Sequence, residues 1–302
     1  MRTSLLQVAT LGMLLGTSTA GATTVTVHNS DEGSYIEIDG EKTLIYGMNW
    51  GYMPIGENYA YDFWGRDDAF IEAALRPEMQ LLQDMGVNAI RQYAVIPPRW
   101  VEWIHAEYGI YTMINPLFGR YGISVDGTWV PQVDYANPGL RKAIKADSLA
   151  AVETYKDTEG VIMWLLGNEN NYGLHWTSFE IEDLPDSLAN DPQAQNAVAL
   201  YSLYGEVITA IQEIDNQHPV SICNGDLQYL ELIERYASHV DILGTNVYRG
   251  ASARDLFQRV KDGLGVPVMF AEFGADAFNA RKGQEDHLSQ ARYLTAQWRE
   301  IY

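Results

Sequence analysis

Residues 161–170 read VIMWLLGNEN, which is six apolar residues followed by a glycine and three polar residues. An apolar run of this length, closed by a glycine, is typical of a strand that is buried on both faces of a parallel sheet. Residues 267–274 read PVMFAEFG, a second apolar run, which leads directly into a glutamate. Each run therefore predicts a buried strand that presents a glutamate, Glu169 or Glu272, at its carboxyl end.

The rest of the chain alternates apolar runs with longer helical patterns. Seven runs are predicted to be strands, at residues 44–50, 88–93, 110–115, 161–166, 219–223, 241–247 and 267–270. The candidate helices lie near residues 72–85, 99–108, 139–156, 192–214, 227–236, 253–262 and 285–302. This alternation predicts an α/β protein with a parallel sheet, either doubly wound or closed into a barrel.

Two observations favour the barrel. The segment after the first predicted strand lacks the G-x-G-x-x-G spacing of a dinucleotide-binding sheet, and all seven predicted strands end in polar residues, as in a TIM barrel. We therefore predict a (β/α)₈ TIM barrel with seven visible β/α units and no eighth strand. A short N-terminal β-hairpin, residues 24–28 and 35–38, precedes it. Residues 23–302 are expected to form one catalytic barrel domain that is C-terminally incomplete.

Composition excludes several classes of function. The 302 residues include 20 basic and 40 acidic side chains, which gives a net charge of −20. A chain of this charge is repelled by nucleic acid and by anionic lipid. The single cysteine, Cys223, excludes an internal disulfide and a thiolate metal cluster. No H-E-x-x-H or G-x-S-x-G motif is present, so we predict neither a metal nor a cofactor.

The first 22 residues have the pattern of a secretory signal peptide. Arg2 supplies a positive start, residues 5–15 are mostly apolar, and Ala20, Gly21 and Ala22 form a small-residue cleavage site. A buried first helix is the alternative interpretation. No later segment is apolar over the length of a membrane helix. We therefore expect cleavage near Ala22, a secreted or periplasmic protein, and no stable membrane anchor.

Glu169 and Glu272 are functional candidates because an acid at the end of an apolar strand is costly unless it is used or paired. The fourth and seventh strands of a barrel face each other across its mouth. This brings two carboxylates close enough for double displacement at a sugar anomeric carbon. The alternative is that each glutamate belongs to a structural salt bridge.

Four motifs carry a resemblance to a known group. Residues 167–169 (GNE) and 272–274 (EFG) resemble the acid/base and nucleophile motifs of the clan A retaining glycoside hydrolases, which share a (β/α)₈ barrel. Residues 86–91 (GVNAIR) are similar to the second-strand signature of family 2 catalytic barrels and family 72 glucanosyltransferases. Residues 245–248 (TNVY) are similar to their sixth-strand signature. The resemblance spans nearly all of residues 44–302.

The resemblance implies a role for each matching residue. Glu272 is expected to be the nucleophile and Glu169 the acid/base. Asn168 is expected to donate to the sugar 2-hydroxyl, while Arg91 and Tyr248 keep Glu272 ionised and oriented. A plain ion pair for Arg91 and wall packing for Tyr248 remain open alternatives. Asn246, in the sixth-strand signature, is expected to join the same substrate-binding set.

Aromatic residues in predicted loops indicate the substrate. The first loop contains Trp50, Tyr52, Tyr59, Tyr61, Phe63 and Trp64, and the segment after the acid/base strand contains Trp176. Sugar rings stack on aromatic faces without needing charge. We predict hydrolysis of a neutral β-linked oligo- or polysaccharide such as a β-glucan. A transglycosylase with the same residues and a non-catalytic carbohydrate-binding barrel are the alternatives.

Overall fold

The computed structural model describes residues 21–30, 33–58, 60–93, 96–174 and 192–301. The chain begins with an antiparallel sheet of three strands, β1 (Val25–Ser30), β2 (Gly33–Ile38) and β3 (Glu41–Thr43). Val25 pairs with Ile38, and Ser30 pairs with Gly33. The predicted N-terminal hairpin is therefore confirmed, and a third strand extends it.

The barrel follows. Its first half contains β4 (Gly47–Asn49), α1 (Asp68–Asp84), β5 (Ala89–Arg91), α2 (Pro98–Tyr108), β6 (Tyr111–Ile114), a hairpin of β7 (Ile123–Val125) and β8 (Thr128–Val130), and α3 (Pro138–Tyr155). Its second half contains β9 (Val161–Leu166), α4 (Asn170–Gly173), α5 (Pro192–Ile214), β10 (Val220–Gly225), α6 (Leu230–Tyr236), β11 (Ile242–Val247), α7 (Leu256–Gly263), β12 (Val268–Phe273), a hairpin of β13 (Phe278–Asn279) and β14 (Gln284–Glu285), and α8 (His287–Ile301).

Seven of these strands form one parallel sheet in the order β12-β11-β10-β9-β6-β5-β4. The sheet curls into a nearly closed barrel with helices around it, which confirms the predicted fold with seven strands in the described chain. All six residues of β9, β10 and β11 are buried. The apolar runs thus form strands whose two faces are covered, one by the barrel interior and the other by the surrounding helices.

The two end strands of the sheet, β4 and β12, approach each other without pairing. The side-chain amide of Asn49 donates to the carbonyl oxygen of Ala271 at 3.2 Å. On the outside, the rings of Tyr46 and Trp298 meet at 5.4 Å between centroids. A cavity of about 600 Å³ lies along this seam. Side chains therefore hold the barrel together at the seam where main-chain pairing is absent.

The N-terminal sheet covers the bottom of the barrel, where the parallel strands begin. Its buried residues, Val25, Ile36 and Ile38, share an apolar cluster with Ala89, Met113, Ile162, Met163 and Ile242. The main chain of Val25 donates to the carbonyl oxygen of Gln217, which precedes β10, at 2.8 Å. The sheet therefore closes this end of the barrel.

The helices begin and end where local sequence dictates. Helix α1 begins after Asp67, whose carboxylate accepts from the main-chain N–H of Phe70. Helix α2 ends at Gly109, which has a φ of 66°, a left-handed conformation that suits glycine. The buried residues of α1 are Ile71, Leu75, Met79 and Leu82. They recur every three or four positions, so one face of the helix packs on the barrel.

Candidate active site

Glu169 follows β9 at a sharp turn of the backbone. Gly167 and Glu169 both have positive φ, 76° and 52°. A left-handed backbone is unfavourable for a residue with a side chain and persists only where neighbouring contacts hold it. Here the main-chain N–H of Glu169 donates to the carbonyl oxygen of Cys223 on the neighbouring strand β10, at 2.9 Å. The turn is thereby fixed at the carboxyl end of the barrel.

Glu272 lies on β12, and its side chain is only 12% exposed. Three donors reach its carboxylate. Arg91 Nη1 lies 2.9 Å from Oε1, and the hydroxyl of Tyr248 donates to Oε2 at 2.8 Å. The hydroxyl of Tyr93 also donates to Oε1. One cation and two hydroxyls therefore stabilise negative charge on both oxygens and fix the direction of the carboxylate.

Arg91 occupies the centre of the barrel and is 3% exposed. Its Nη2 donates to Asn168 Oδ1 at 2.9 Å, and its Nε donates to Asn115 Oδ1 at 2.9 Å. Burial disfavours the charge, but the acidic groups around the guanidinium raise the pKa of Arg91 above its ordinary value. Arg91 is thus a fixed cation with each of its three nitrogens in a hydrogen bond.

Tyr93 and Tyr248 remain hydrogen-bond donors because of their surroundings. Burial raises the pKa of both hydroxyls above the ordinary range, and the nearby Glu272 carboxylate adds to the rise. Both therefore stay protonated at neutral pH. The guanidinium of Arg91 lies 4.6 Å from the ring centroid of Tyr93, a cation–π distance. Tyr93 thus contacts both partners of the ion pair.

Asn168 is oriented by its neighbours. Its Oδ1 accepts from Arg91, so its Nδ2 faces outward and donates to the hydroxyl of Tyr121 at 2.8 Å. Its main-chain oxygen accepts from Arg120 Nε at 3.1 Å. Asn168 is 5% exposed, whereas Tyr121 is 50% exposed. A buried amide donor is therefore held at the surface of the site beneath an exposed tyrosine.

Asn246 lies between the two halves of the site. It is 2% exposed, and its Nδ2 donates to Glu169 Oε1 at 3.0 Å and to Asn168 Oδ1 at 3.3 Å. Its own Oδ1 accepts from the thiol of Cys223 at 3.2 Å. Burial raises the pKa of Cys223 to about 12, so the thiol stays protonated and donates. Cys223 is thus a buried hydrogen-bond donor that orients the side-chain amide of Asn246.

A continuous chain of hydrogen bonds joins the two carboxylates, in the order Glu272, Arg91, Asn168, Asn246, Glu169. Every member lies at or just after the carboxyl end of a barrel strand, because all strands of a parallel barrel end at the same face. The arrangement contains two acids on different strands, a cation and oriented amide donors. It is chemically suited to acid, base and nucleophilic catalysis.

Trp50 and Trp176 were also predicted to bind substrate. Trp50 is 7% exposed, and its indole donates to Glu78 Oε2 on α1 at 3.3 Å. The indole is thus part of the core between barrel and helices, and a role of Trp50 in binding substrate stays a prediction. Trp176 lies outside the described residues, and its role stays a prediction.

Four residues of the site had no role from sequence reasoning: Tyr93, Asn115, Tyr121 and Cys223. The first two carried a signal, because polar residues at strand ends are candidates in a barrel. Tyr121 lies in the long segment between β6 and α3, where no periodicity marks it. Cys223 is at the end of an apolar run and was indistinguishable from a core residue.

Within the described ranges, no cluster of three or more His, Cys, Asp or Glu side chains is arranged to hold a metal ion. In the same part of the chain, no helix is both long enough and apolar enough to cross a bilayer. The groups that meet at the site are carboxylates, amides, phenols and a guanidinium.

Similarity between this chain and known proteins is found at the level of the fold. No family model and no curated protein matches this chain. Solved structures do match its fold. Bacteroides uniformis β-glucuronidase 2, covalently bound to cyclophellitol-6-carboxylate aziridine, has 15% identity and a TM-score of 0.63 over 91% of this chain and 30% of its own. A family 2 β-galacturonidase from Eisenbergiella tayi, bound to galacturonate, has 15% identity and a TM-score of 0.60 over 92% of this chain and 44% of its own.

A β-D-glucuronidase of Dictyoglomus thermophilum has 14% identity and a TM-score of 0.57, over 92% of this chain and 44% of its own. The chain thus spans less than half the length of these three proteins. At this identity the likeness concerns the fold. The expected resemblance to the family 2 barrels is confirmed at that level.

Proposed function

We propose that the protein is a retaining β-glycoside hydrolase. In the first step a carboxylate oxygen of Glu272 bonds to the anomeric carbon, the bond to the leaving oxygen breaks, and Glu169 gives that oxygen its proton. In the second step Glu169 takes a proton from water, whose oxygen bonds to the anomeric carbon as the ester to Glu272 breaks. Both glutamates return to their starting states.

The observation that carries this proposal is the environment of Glu272. A nucleophilic carboxylate has to be ionised and fixed in direction, and Arg91, Tyr93 and Tyr248 together favour both conditions. Such a set of donors also stabilises the carboxylate when it leaves in the second step. Asn168 adds a buried amide donor, which suits a sugar hydroxyl that binds more strongly in the transition state.

The substrate we propose is a neutral β-linked oligo- or polysaccharide, with a β-glucan as the first choice. The net charge of −20 disfavours polyanionic glycans. Tyr121 and Tyr248 contact site residues and are 50% and 45% exposed, so they offer aromatic surface for a sugar ring.

A β-linked uronide is the second candidate. The solved structures of similar fold are named as β-glucuronidases and a β-galacturonidase. One observation on this chain favours it, namely that the Arg120 guanidinium donates to the main-chain oxygen of Asn168 and so places a cation beside the site. A carboxylate on the sugar is compatible with such a cation.

The test uses p-nitrophenyl β-glucoside, β-glucuronide and β-galacturonide, with the product anomer followed by proton NMR. We expect turnover of the glucoside with a β-anomer formed first. A matching 2-deoxy-2-fluoro glycoside should inactivate the protein and label the peptide that contains Glu272. Preference for either uronide would replace the neutral substrate, and a first-formed α-anomer would overturn the retaining mechanism.

Transfer to a sugar hydroxyl uses the same two glutamates and differs only in which acceptor reaches the ester. Incubation with laminarihexaose distinguishes these cases, because transfer yields products longer than six units and hydrolysis yields shorter ones. Absence of turnover with retained binding of the sugar would favour the non-catalytic carbohydrate-binding barrel.

We also propose that the protein is exported. The pattern of residues 1–22 supports a cleaved signal peptide and a secreted or periplasmic protein. The test is the N-terminal sequence of protein recovered from a secreting host, which should begin near residue 23. Recovery only in the cytoplasm with Met1 in place would overturn this part.

A further inference from the structure

A second cavity lies next to the candidate active site. It has a volume of about 520 Å³ and lies between the β7–β8 hairpin, helix α3 and the segments that follow β5 and β6. This volume falls in the range of about 300–1,000 Å³ that is usual for small-molecule sites. Tyr93 borders both places, since its side chain lines the cavity and its hydroxyl donates to Glu272. We call it the Trp129 cavity.

Trp129, on β8, offers an aromatic surface at this cavity. It is 59% exposed, although its ring is held in place on one side. The ring lies so close to Gly122 that a side chain at that position would overlap the indole. Gly122 has a φ of 106°, a conformation that disfavours other residues. A large exposed ring held against a glycine is a stacking surface that needs little ordering on binding.

The wall of the cavity also contains polar atoms. Within the described ranges, Thr112 Oγ1 and Gln92 Oε1 are buried without a partner, and both residues line the cavity. Thr112 is 1% exposed. Both oxygens are covered by their neighbours, and buried polar atoms are nearly always hydrogen-bonded. Either side chain would therefore gain a partner by turning its oxygen toward a ligand hydroxyl in the cavity. Ser124 adds a hydroxyl at the hairpin side.

The charge of the lining narrows the choice of ligand. Among the described residues that line the cavity, Asp147 is the only charged one. A uronate or phosphate would meet a carboxylate and no cation, which is unfavourable. A neutral sugar fits the combination of an aromatic face, hydroxyl partners and apolar walls.

We propose that the Trp129 cavity binds a neutral hexose unit of the same glycan whose glycosidic bond is cleaved between Glu169 and Glu272, so this inference rests on the proposed function. The sugar stacks on Trp129, and its hydroxyls donate to Gln92 and Thr112 once these two side chains turn toward the cavity. The cavity therefore gives the enzyme a preference for substrates that are long enough to reach past Tyr93.

The experiment compares Trp129→Ala and Gly122→Ala with the control Leu81→Ala. Leu81 lies on α1 and is also 59% exposed, so its removal takes away a similar share of exposed apolar surface. The substrates are p-nitrophenyl β-glucoside, which needs only the cleavage site, and the neutral hexaoses laminarihexaose, cellohexaose and mannohexaose. Gly122→Ala displaces the Trp129 ring from its position without removing it. Circular dichroism confirms that each variant is folded.

We expect both cavity variants to lower kcat/KM about tenfold on the hexaose that the enzyme cleaves best, the size of one aromatic stacking contact. Turnover of the aryl glucoside should be unchanged, and Leu81→Ala should change neither. An unchanged kcat/KM on the hexaoses, or an equal loss on the aryl glucoside, would overturn the proposal.

Calorimetric binding of the three hexaoses separates this inference from the proposed function. If the unaltered protein hydrolyses no glycoside, the proposed function fails, and the cavity is judged by binding alone. A dissociation constant raised about tenfold by Trp129→Ala then supports the cavity. No binding of any hexaose, or equal binding by the variant, overturns it.

Discussion

Arg91 and Glu272 form an ion pair inside the barrel, with Nη1 2.9 Å from Oε1 and side chains that are only 3% and 12% exposed. Taking two charges out of water is costly, so such a pair persists only where other groups complete its hydrogen bonds. Asn168 and Asn115 do this for the arginine, while Tyr248 does it for the glutamate. The pair is therefore the electrostatic centre of the site, and its removal affects both stability and chemistry.

Replacing Arg91 by Met tests the stability of this pair. The substitution leaves the Glu272 carboxylate buried without its cation, and we expect the free energy of unfolding to fall by about 3–5 kcal/mol. Urea denaturation measures the change. In the double variant with Glu272→Gln the loss should be smaller than the sum of the two single losses. Strict additivity would show that the two side chains are not coupled.

The roles of the two glutamates are separated by chemical rescue. Glu272→Ala should abolish turnover of every substrate. Glu169→Ala should lose about 10²–10⁴-fold on substrates with poor leaving groups, because it removes the acid. It should spare the first step for a 2,4-dinitrophenyl glycoside, and added azide should then give a β-glycosyl azide. Rescue of the Glu272 variant instead would reverse the assignment.

Tyr93 and Tyr248 are expected to act through Glu272. Replacing either by Phe removes one hydroxyl donor to a charged group, worth about 1.5–3 kcal/mol, so we expect kcat/KM to fall roughly 10- to 100-fold. The phenyl ring keeps the packing, so the melting temperature should change little. Steady-state kinetics with thermal unfolding on the same samples measures both. A full loss of activity with a lower melting temperature would indicate a structural role.

Tyr121→Phe, in contrast, should strengthen substrate binding. The Tyr121 hydroxyl accepts from Asn168 Nδ2 at 2.8 Å, so it competes with any sugar hydroxyl for that donor. Removing a neutral hydrogen bond of about 0.5–1.5 kcal/mol should lower KM roughly two- to tenfold, with kcat unchanged. A raised KM would show instead that the Tyr121 hydroxyl itself binds the substrate.

Alkaline pH should destabilise the barrel. Burial raises the pKa of Tyr135 and of Tyr155 to about 12, against about 10 in an unfolded chain. Because the folded pKa values are the higher ones, the stability is fully present below pH 10 and is lost as the pH rises toward 12. Each tyrosine contributes a slope of up to about 1.4 kcal/mol per pH unit.

Absorbance at 295 nm, read together with circular dichroism, measures this loss. The buried tyrosines should titrate only as the chain unfolds. Titration of all 19 tyrosines near pH 10 with the fold intact would contradict the prediction.

Much of the fold was predictable because its signals are local. The run at residues 161–166 is apolar throughout, and a strand buried on both faces requires that composition, so β9 has the predicted bounds. The hairpin of β7 and β8 was not predicted. Its strands have three residues each, too few for an alternating pattern to stand out.

The site was predictable to the extent that a barrel gathers its strand ends at one face. Glu169, Glu272, Asn168, Arg91 and Asn246 were all named from sequence, and the structure places them in one hydrogen-bonded chain. Trp50 could not be placed from sequence because an aromatic residue after a strand is consistent with either a sugar platform or a core residue. Its burial against α1 depends on contacts distant in sequence.

The sequence by itself determined which elements form and which face carries polar groups, because periodicity, capping residues and strand-end chemistry act over a few residues. Only the tertiary structure decided how those groups are paired. Tyr93 and Glu272 are 179 positions apart and are joined by a hydrogen bond, and the ring of Trp129 is held by Gly122 across a hairpin. Such contacts depend on how the barrel curls and on where its loops fold back. Both are set by tertiary packing and not by the sequence of any single segment.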